Sequence, residues 1–329
     1  MSNAGAPLLW RFRWLGLLVV CVVAAAAPLV APNDYVGGVL DTAGTFALVA
    51  VGLNLLCGGT GQFSLGHAGF YAIGAFTAAL LGAQHGWPFW LDVPAGGVLA
   101  ALAGLALGIP TLRLSGPYFA VATLGFGLLV AQILSSADWA GGRTGIALNA
   151  PQIGSYTFTT RGFFWVVLVV LCLGVFVAHN LRQGATGRAF VALRESEAAA
   201  AASGVHLARY RVTAFVISAL YAGLAGALFA HWEGYVSATS FGLPVSIAFV
   251  AMIVVGGLDR TAGSLIGAVA LTAVQDRLQD QPQLAQTLYG AVIVVVLLFL
   301  PGGLVGLLAL LRHRVAPRRK RLAPGGSHG

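Results

Sequence analysis

The sequence predicts an all-α polytopic membrane protein with about ten transmembrane helices, and three observations carry that prediction. The 329 residues are 58% hydrophobic and only 9% charged, and the mean hydropathy is +0.86. A soluble domain carries about 25% charged residues, so this chain has too few solvated groups to cover a water-facing surface. Its apolar residues also come in long runs without alternation, such as 163–178 and 285–300. Hydrocarbon satisfies no backbone polar group, so only helices and closed barrels cross it, and a barrel needs alternating strands of roughly ten residues. Finally, the cations gather on one side of the runs.

Taken in order, the runs long enough to cross are 14–31, 36–57, 66–83, 89–108, 118–134, 163–179, 210–231, 243–258, 261–275 and 286–311. The first has a basic lead in Arg11 and Arg13 and small residues at 24–27, as a cleaved signal peptide would. Removing it would put one terminus on the wrong side of the charge pattern, so it reads as a retained anchor. The ninth run is short and the eighth lies tight against it. With the N-terminus inside and ten crossings, fifteen of the 18 Lys and Arg residues fall on the cytoplasmic side. Only Arg143, Arg161 and Arg277 fall outside, a strong positive-inside bias. Both termini are therefore expected in the cytoplasm. The division is a transmembrane domain over 1–311 and a basic cytoplasmic tail over 312–329, with an external loop at 135–160 and a cytoplasmic segment at 180–209.

The net charge of +8 and pI of about 9.9 do not point to nucleic acid, because most of the cations flank apolar segments. They serve topology and attraction to anionic lipid. Cys21, Cys57 and Cys172 lie in or at the end of apolar runs, without metal-ligand spacing, and read as small packing residues. No GxxxxGK[ST] occurs, so the chain does not cradle ATP phosphates by that device. No metal and no cofactor is expected on it.

The densest polar region is 53–70, LNLLCGGTGQFSLGHAGF, where Asn54, Thr60, Gln62, Ser64 and His67 sit among glycines between two apolar runs. Glycine lets the chain leave helical geometry, and polar side chains replace the lost hydrogen bonds. Transporters build solute sites from such interrupted helices; a tight turn with small residues for packing is the other reading. A weaker echo, GGLDRTAGSLIG, occupies 256–267. In the cytoplasmic segment, 187–204 (GRAFVALRESEAAAAASG) reads as one helix of strong helix formers stopped by Gly204. Its alanine surface permits close docking against a partner. An interfacial helix on lipid would want a large apolar face, which this stretch lacks.

At this point the residues resemble a known family. The 54–70 block is similar to the LNLLxGxxGQxSLGHAxF signature of LivM-type branched-chain amino acid permeases. LRLSGPYFAVATLGFG at 112–127, which contains Thr123, resembles their next block, and GGRTGI at 141–146 their external GGxxGI stretch. The 187–204 stretch followed by Tyr210, Ala214 and Phe215 matches their ATPase-contact region, and 241–263 fits the closing block.

The resemblance implies a type II ABC importer-like permease fold in the bacterial inner membrane. Its implied partners are a LivH-type permease, two cytoplasmic ATPase subunits that use the ATP, an external solute-binding protein and membrane lipid. It also implies a solute path at Asn54, Gln62, Ser64, His67 and Thr123. ATPase coupling would fall to Arg188, Arg194, Glu195, Glu197, Ala199, Ala200 and Gly204. Glu197 lies seven residues before Gly204, as in the LivM variant and unlike the general importer pattern. LivM relatives carry an acid and then a base after the Gly-Phe-Gly block, where this chain has Leu128 and Ala131. That departure bears on the solute, and urea, short amides or aromatic acids stand as alternatives to leucine, isoleucine and valine.

Two rivals come from other classes. An ion-coupled carrier holds acids inside the membrane, whereas Asp41 and Asp92 are expected at interfaces near helix ends. A serine hydrolase built on Ser64 and His67 would need a nucleophile beside its base; at i,i+3 the two would share one helix face, and no oxyanion-type glycine arrangement follows from it by necessity.

Overall fold

The computed structural model describes residues 33–278, apart from 115, 143, 154, 155 and 259, together with 284, 287, 288, 290 and 291. The expected span 14–31, most of 286–311 and the tail 312–329 lie outside the described residues, as do Cys21 and Arg143. The described α-helices are α1 (Asp34–Thr60), α2 (His67–Ala79), α3 (Phe89–Gly108), α4 (Pro117–Ser136) and α5 (Thr160–Gln183). They continue with α6 (Ala185–Glu195), α7 (Glu197–Ala202), α8 (Leu207–Glu233), α9 (Leu243–Gly256) and α10 (Thr261–Arg277).

Five of these are long and apolar enough to cross a membrane: Tyr35–Thr60, Phe89–Gly108, Pro117–Ser136, Gly162–Gln183 and Leu207–Glu233. The expected run 66–83 is α2 continued without a break into a π-helical turn, Leu80–Gln84. The tight pair 243–258 and 261–275 is two separate helices of 14 and 17 residues.

At the centre is α8, packed against α1, α2 and α3. Its contact surface is mostly Ala and Gly, including the buried Ala219, Ala222, Gly223, Gly226 and Ala230. A Cβ on Gly226 would run into the Tyr71 carbonyl of α2, and one on Gly74 into the Gly223 carbonyl of α8. Lipid tails give apolar side chains no reason to prefer protein, so helix association in a bilayer depends on such close backbone approach. Beside this contact lies an aromatic cluster around Tyr71, with Phe46, Phe229, Phe241 and Phe249 at ring separations of 5.4–6.1 Å.

The bundle has two distinct ends. One gathers the α1–α2 break, the 3₁₀ turn Pro110–Arg113, α6, α7 and the α9–α10 turn, and it carries Arg113, Arg182, Arg188, Arg194, Arg209, Arg211 and Arg260. At the other end the polar stretch 135–160 forms β1 (Ile146–Ala147), β2 (Gln152–Ile153) and β3 (Tyr156–Thr157). There β1 pairs antiparallel with β4 (Tyr235–Val236), just past α8, and β2 pairs with β3.

Asp41 and Asp92, expected at interfaces near helix ends, lie two turns into α1 and in the first turn of α3, and both are 0% exposed within the protein. Asp92 lies against Gly82 of the π-helical turn and pairs with His231 at 2.8 Å. Asp41 lies two turns into α1, between Gly38, which abuts Trp232 of α8, and Gly44, which abuts Val167 of α5. Its carboxylate has no hydrogen-bond partner among the described residues.

Candidate functional site

The site is built on the break between α1 and α2. Gly61 takes φ 75°, a left-handed conformation that side-chain-bearing residues rarely adopt, and its N–H closes the last turn of α1 on the Cys57 carbonyl. Residues 61–66 then run without helical hydrogen bonding to His67, so their polar backbone needs partners from elsewhere. The N–H of Leu65 donates to Thr123 Oγ1 at 3.1 Å, and Thr123 Oγ1 donates to the Ala120 carbonyl at 2.9 Å. Gly66 lies so close to the Thr123 carbonyl that a Cβ there would overlap it. The N–H of Ala68, one of the donors left open at the start of α2, is met by Ser246 Oγ of α9 at 3.1 Å.

His67 joins this loop to the central helix. Its Nδ1 is 2.9 Å from Ser64 Oγ and its Nε2 is 2.6 Å from Ser218 Oγ of α8. The chain Ser64–His67–Ser218 is closed to solvent, with His67 1% exposed and both serines 0%. Among the described residues no carboxylate orients the imidazole, and both serines are closed to solvent, so the arrangement is a strut and not a nucleophile–base pair.

Asn54 has a comparable task on the other side of α1. Its Nδ2 faces Ser264 Oγ at 2.6 Å and the Arg260 carbonyl at 3.1 Å, tying α1 to the α9–α10 turn. Arg182, at the end of α5, donates to the Asn54 carbonyl at 3.1 Å and to its Oδ1 at 3.4 Å.

Of the five residues expected along a solute path, Asn54, Ser64, His67 and Thr123 are thus buried and committed to protein partners. Gln62 differs. It is half-buried, and its Oε1 has no partner among the described residues. It lines a recess of about 10 Å³ with Gly108, Thr111, Phe119, Arg211 and Phe215, room for about one water.

The segment 187–204, expected in the cytoplasm, departs from the expected single helix. Ser196 is extended (φ −162°, ψ 114°) and separates α6 from α7. Its hydroxyl accepts from the Ala199 N–H at 3.3 Å, and serine is favoured at helix starts because its short side chain can do this. Arg188, Glu195, Glu197, Ala199 and Gly204 are exposed, whereas Ala200 is 2% exposed and turned into the protein. Glu197 forms an ion pair with Arg211 of α8, which also reaches the Leu112 carbonyl at 3.5 Å. Arg194 donates from Nη1 to the Gly58 carbonyl at 2.5 Å, in the last turn of α1. A cation at a helix C-terminus is favourable because carbonyl dipoles converge there. The two residue groups singled out from sequence therefore meet directly, with α6 holding the end of the interrupted helix.

Sequence reasoning did not assign site roles to Arg182, Ser218, Ser246, Ser264 or Arg211. The serines sit singly in apolar runs, where a hydroxyl commonly bonds its own helix. Their partners lie 151 to 210 positions away, so local pattern carried no signal of the pairing.

A family model described as "Branched-chain amino acid transport system / permease component" matches residues 35–300. The chain is 34% identical over 317 residues to the high-affinity branched-chain amino acid transport system permease protein LivM of Salmonella typhimurium, covering 88% of this chain and 74% of that one. It is 25% identical over 293 residues to the corresponding LivH of Escherichia coli, covering 80% and 91%. It is also 30% identical over 239 residues to the autoinducer 2 import system permease protein LsrC of Enterobacter sp., covering 70% and 68%. No solved structure matches it.

Proposed function

Because the chain belongs to the family of branched-chain amino acid transport system permease components, we propose that it is the LivM-type half of the membrane channel of an ATP-driven importer. The solutes are leucine, isoleucine and valine or close relatives. In this reading the chain crosses the bacterial inner membrane ten times with both termini in the cytoplasm. The arginine-rich end lies inside and the β1–β4 end outside, in keeping with the charge distribution. A LivH-type permease completes the channel, an external binding protein delivers solute, and two cytoplasmic ATPases use the ATP. The chain itself is not an enzyme and binds no cofactor.

The observation that carries the mechanism is the Arg194–Gly58 hydrogen bond. The exposed face of α6 and α7, with its small Ala199 and its open Glu195, would receive the ATPase. Closure of the ATPases would push α6, and Arg194 would pull the end of α1 with it. That displacement is delivered to residues 61–66, where the backbone is already free of helical bonding and Gln62 holds an uncommitted amide. A non-helical segment is tolerable within a membrane only where it meets protein or water, which suits a gate beside a solute path. The Ser64–His67–Ser218 strut and the Thr123 anchor would keep the start of α2 fixed while the segment before it moves.

The burial of Asp41 removes one reason for setting aside an ion-coupled carrier, and family membership is what decides against it. For the solute, one observation favours a second reading. Leu128 is 49% exposed on the outer face of α4, so the polar pair usual in LivM relatives is missing from a surface open to a partner or to solute. A short amide or another small neutral solute fits that change.

Reconstituted complex in proteoliposomes tests the assignment. ATP-dependent uptake of labelled leucine, crosslinks from Ala199 to the ATPase and ion-gradient independence are expected. Uptake that follows a proton or sodium gradient without ATP would overturn it.

A further inference from the structure

At the arginine-rich end of the bundle, one guanidinium lies between α7 and the non-helical segment 61–66. Arg211, in the second turn of α8, forms an ion pair with Glu197, in the first turn of α7. Its contact with the Leu112 carbonyl is slack, at 3.5 Å from Nη1. A guanidinium has five N–H donors, so Arg211 keeps donors to spare. The same side chain lines the recess of about 10 Å³ that Gln62 lines. Gln62 Oε1 is closed to solvent and has no partner among the described residues. Thr111, the other polar side chain of the recess, donates its hydroxyl to the Leu107 and Gly108 carbonyls at 2.9 and 3.1 Å. The remaining side chains that line it are apolar. An unmet buried acceptor is costly, and arginine offers no acceptor of its own, so an amide turned toward it presents its oxygen. The recess has room for about one water, and therefore for one guanidinium nitrogen.

The two partners of the ion pair differ in access. The Glu197 side chain is 53% exposed, whereas that of Arg211 is 16% exposed. A half-exposed ion pair contributes little by itself, so a donor on a docking protein can take Glu197 from Arg211 at small cost. We propose that Arg211 is a two-position latch, held by Glu197 in this structure and turned to Gln62 Oε1 when a partner docked on α7 engages Glu197. Arg211 is thus a positioning residue for the segment 61–66. The partner is the ATPase, so the latch rests on the reading that α6 and α7 receive it. Arg194 already links α6 to the end of α1 and packs against Gly61. The latch adds, at the next residue, a hold that exists only while α7 is occupied.

The full chain in nanodiscs is heated while its unfolding is followed, in a double-mutant cycle of Gln62→Met and Glu197→Ala. Methionine keeps the length of the side chain and removes the unmet oxygen. In the otherwise unchanged chain, Gln62→Met should leave the midpoint within about 1 °C or raise it, because that oxygen bonds nothing while Glu197 holds Arg211. With Glu197→Ala the arginine is free to take Gln62, and Gln62→Met should then lower the midpoint by at least about 2 °C. The same shift in both backgrounds, or failure of the single Gln62→Met chain to fold, would overturn the proposal. In the assembled complex, Gln62→Met should lower the solute moved per ATP about tenfold, since a hydrogen bond from a charged donor contributes about one decade or more. An unchanged ratio would overturn the role of the latch in coupling. The heating experiment needs no partner subunit. It therefore reports the exchange even if uptake in the complex proves independent of ATP, a result that would overturn the transport reading alone.

Discussion

Replacing Arg194 with glutamine should separate ATP hydrolysis from solute movement. Arg194 sits in the last turn of α6 and reaches the Gly58 carbonyl at 2.5 Å, across 136 positions of sequence. A hydrogen bond from a charged donor contributes about 1.5–3 kcal/mol, and a cation at a helix C-terminus adds about 0.3–1 kcal/mol. The two overlap, so losing both costs roughly 2–3 kcal/mol. If that energy holds α6 to α1 during the cycle, its loss weakens the coupling about 30- to 150-fold, at about 1.4 kcal/mol per decade. The assay is the ratio of solute taken up to ATP hydrolysed, in proteoliposomes carrying the assembled complex and a fixed concentration of binding protein. Glutamine keeps an amide donor but is shorter and uncharged, so the chain still inserts and the ATPases still turn over. Arg194→Lys, which keeps the charge and loses the fork, should fall between. An unchanged ratio in Arg194→Gln would sink the idea that α6 acts through the end of α1.

Asn54→Leu removes the side chain that joins α1 to Ser264, to the Arg260 carbonyl and to Arg182. A loss of about 2–4 kcal/mol is expected, read as a lowered midpoint in a thermal-stability scan of the purified chain; a solute-contact residue would instead lower uptake at unchanged stability. At α7 the two neighbouring alanines should diverge. Ala199→Trp, on the exposed face, should leave yield intact and block transport, while Ala200→Trp, at a position 2% exposed, should cut the yield of folded protein. Equal behaviour of the two would contradict the burial pattern. A cysteine at Thr144, exposed beside β1, should react with impermeant maleimide from outside intact cells, and labelling only after lysis would invert the topology.

The helices were legible because lipid imposes long apolar runs and because arginines mark one side. The limits of α1, α3 and α8 differ from the runs 36–57, 89–108 and 210–231 by no more than three residues. The glycine-rich break was legible too, since left-handed backbone at Gly61 needs that residue. What escaped was decided by contacts between distant positions. Ser196 interrupts a stretch of strong helix formers through one side-chain bond to Ala199, a choice that helix propensity does not predict. Asp92 and His231 are 139 positions apart, so local pattern carried no sign that an acid near a helix end is buried against a histidine. The roles of Asn54 and His67 were hidden for the same reason, because polar groups in a membrane chain serve solute and scaffold alike.

Among the helices described, α8 touches both faces of the bundle. At one end Arg211 grips Glu197 of α7. At the other, β4 follows directly and is hydrogen-bonded to β1 in the opposite loop. Its 27 residues make a rod about 40 Å long at about 1.5 Å per residue. A rod of that length pivoting at its middle by about 10° carries each tip roughly 3.5 Å in opposite directions. The strand clip fixes the loop to the far tip, so that loop must travel with it as a pointer travels with its arm. A displacement imposed at the α7 end of such a rod would therefore reappear, reversed in sense, at the β1 end, with no relay of rearranged side chains between them.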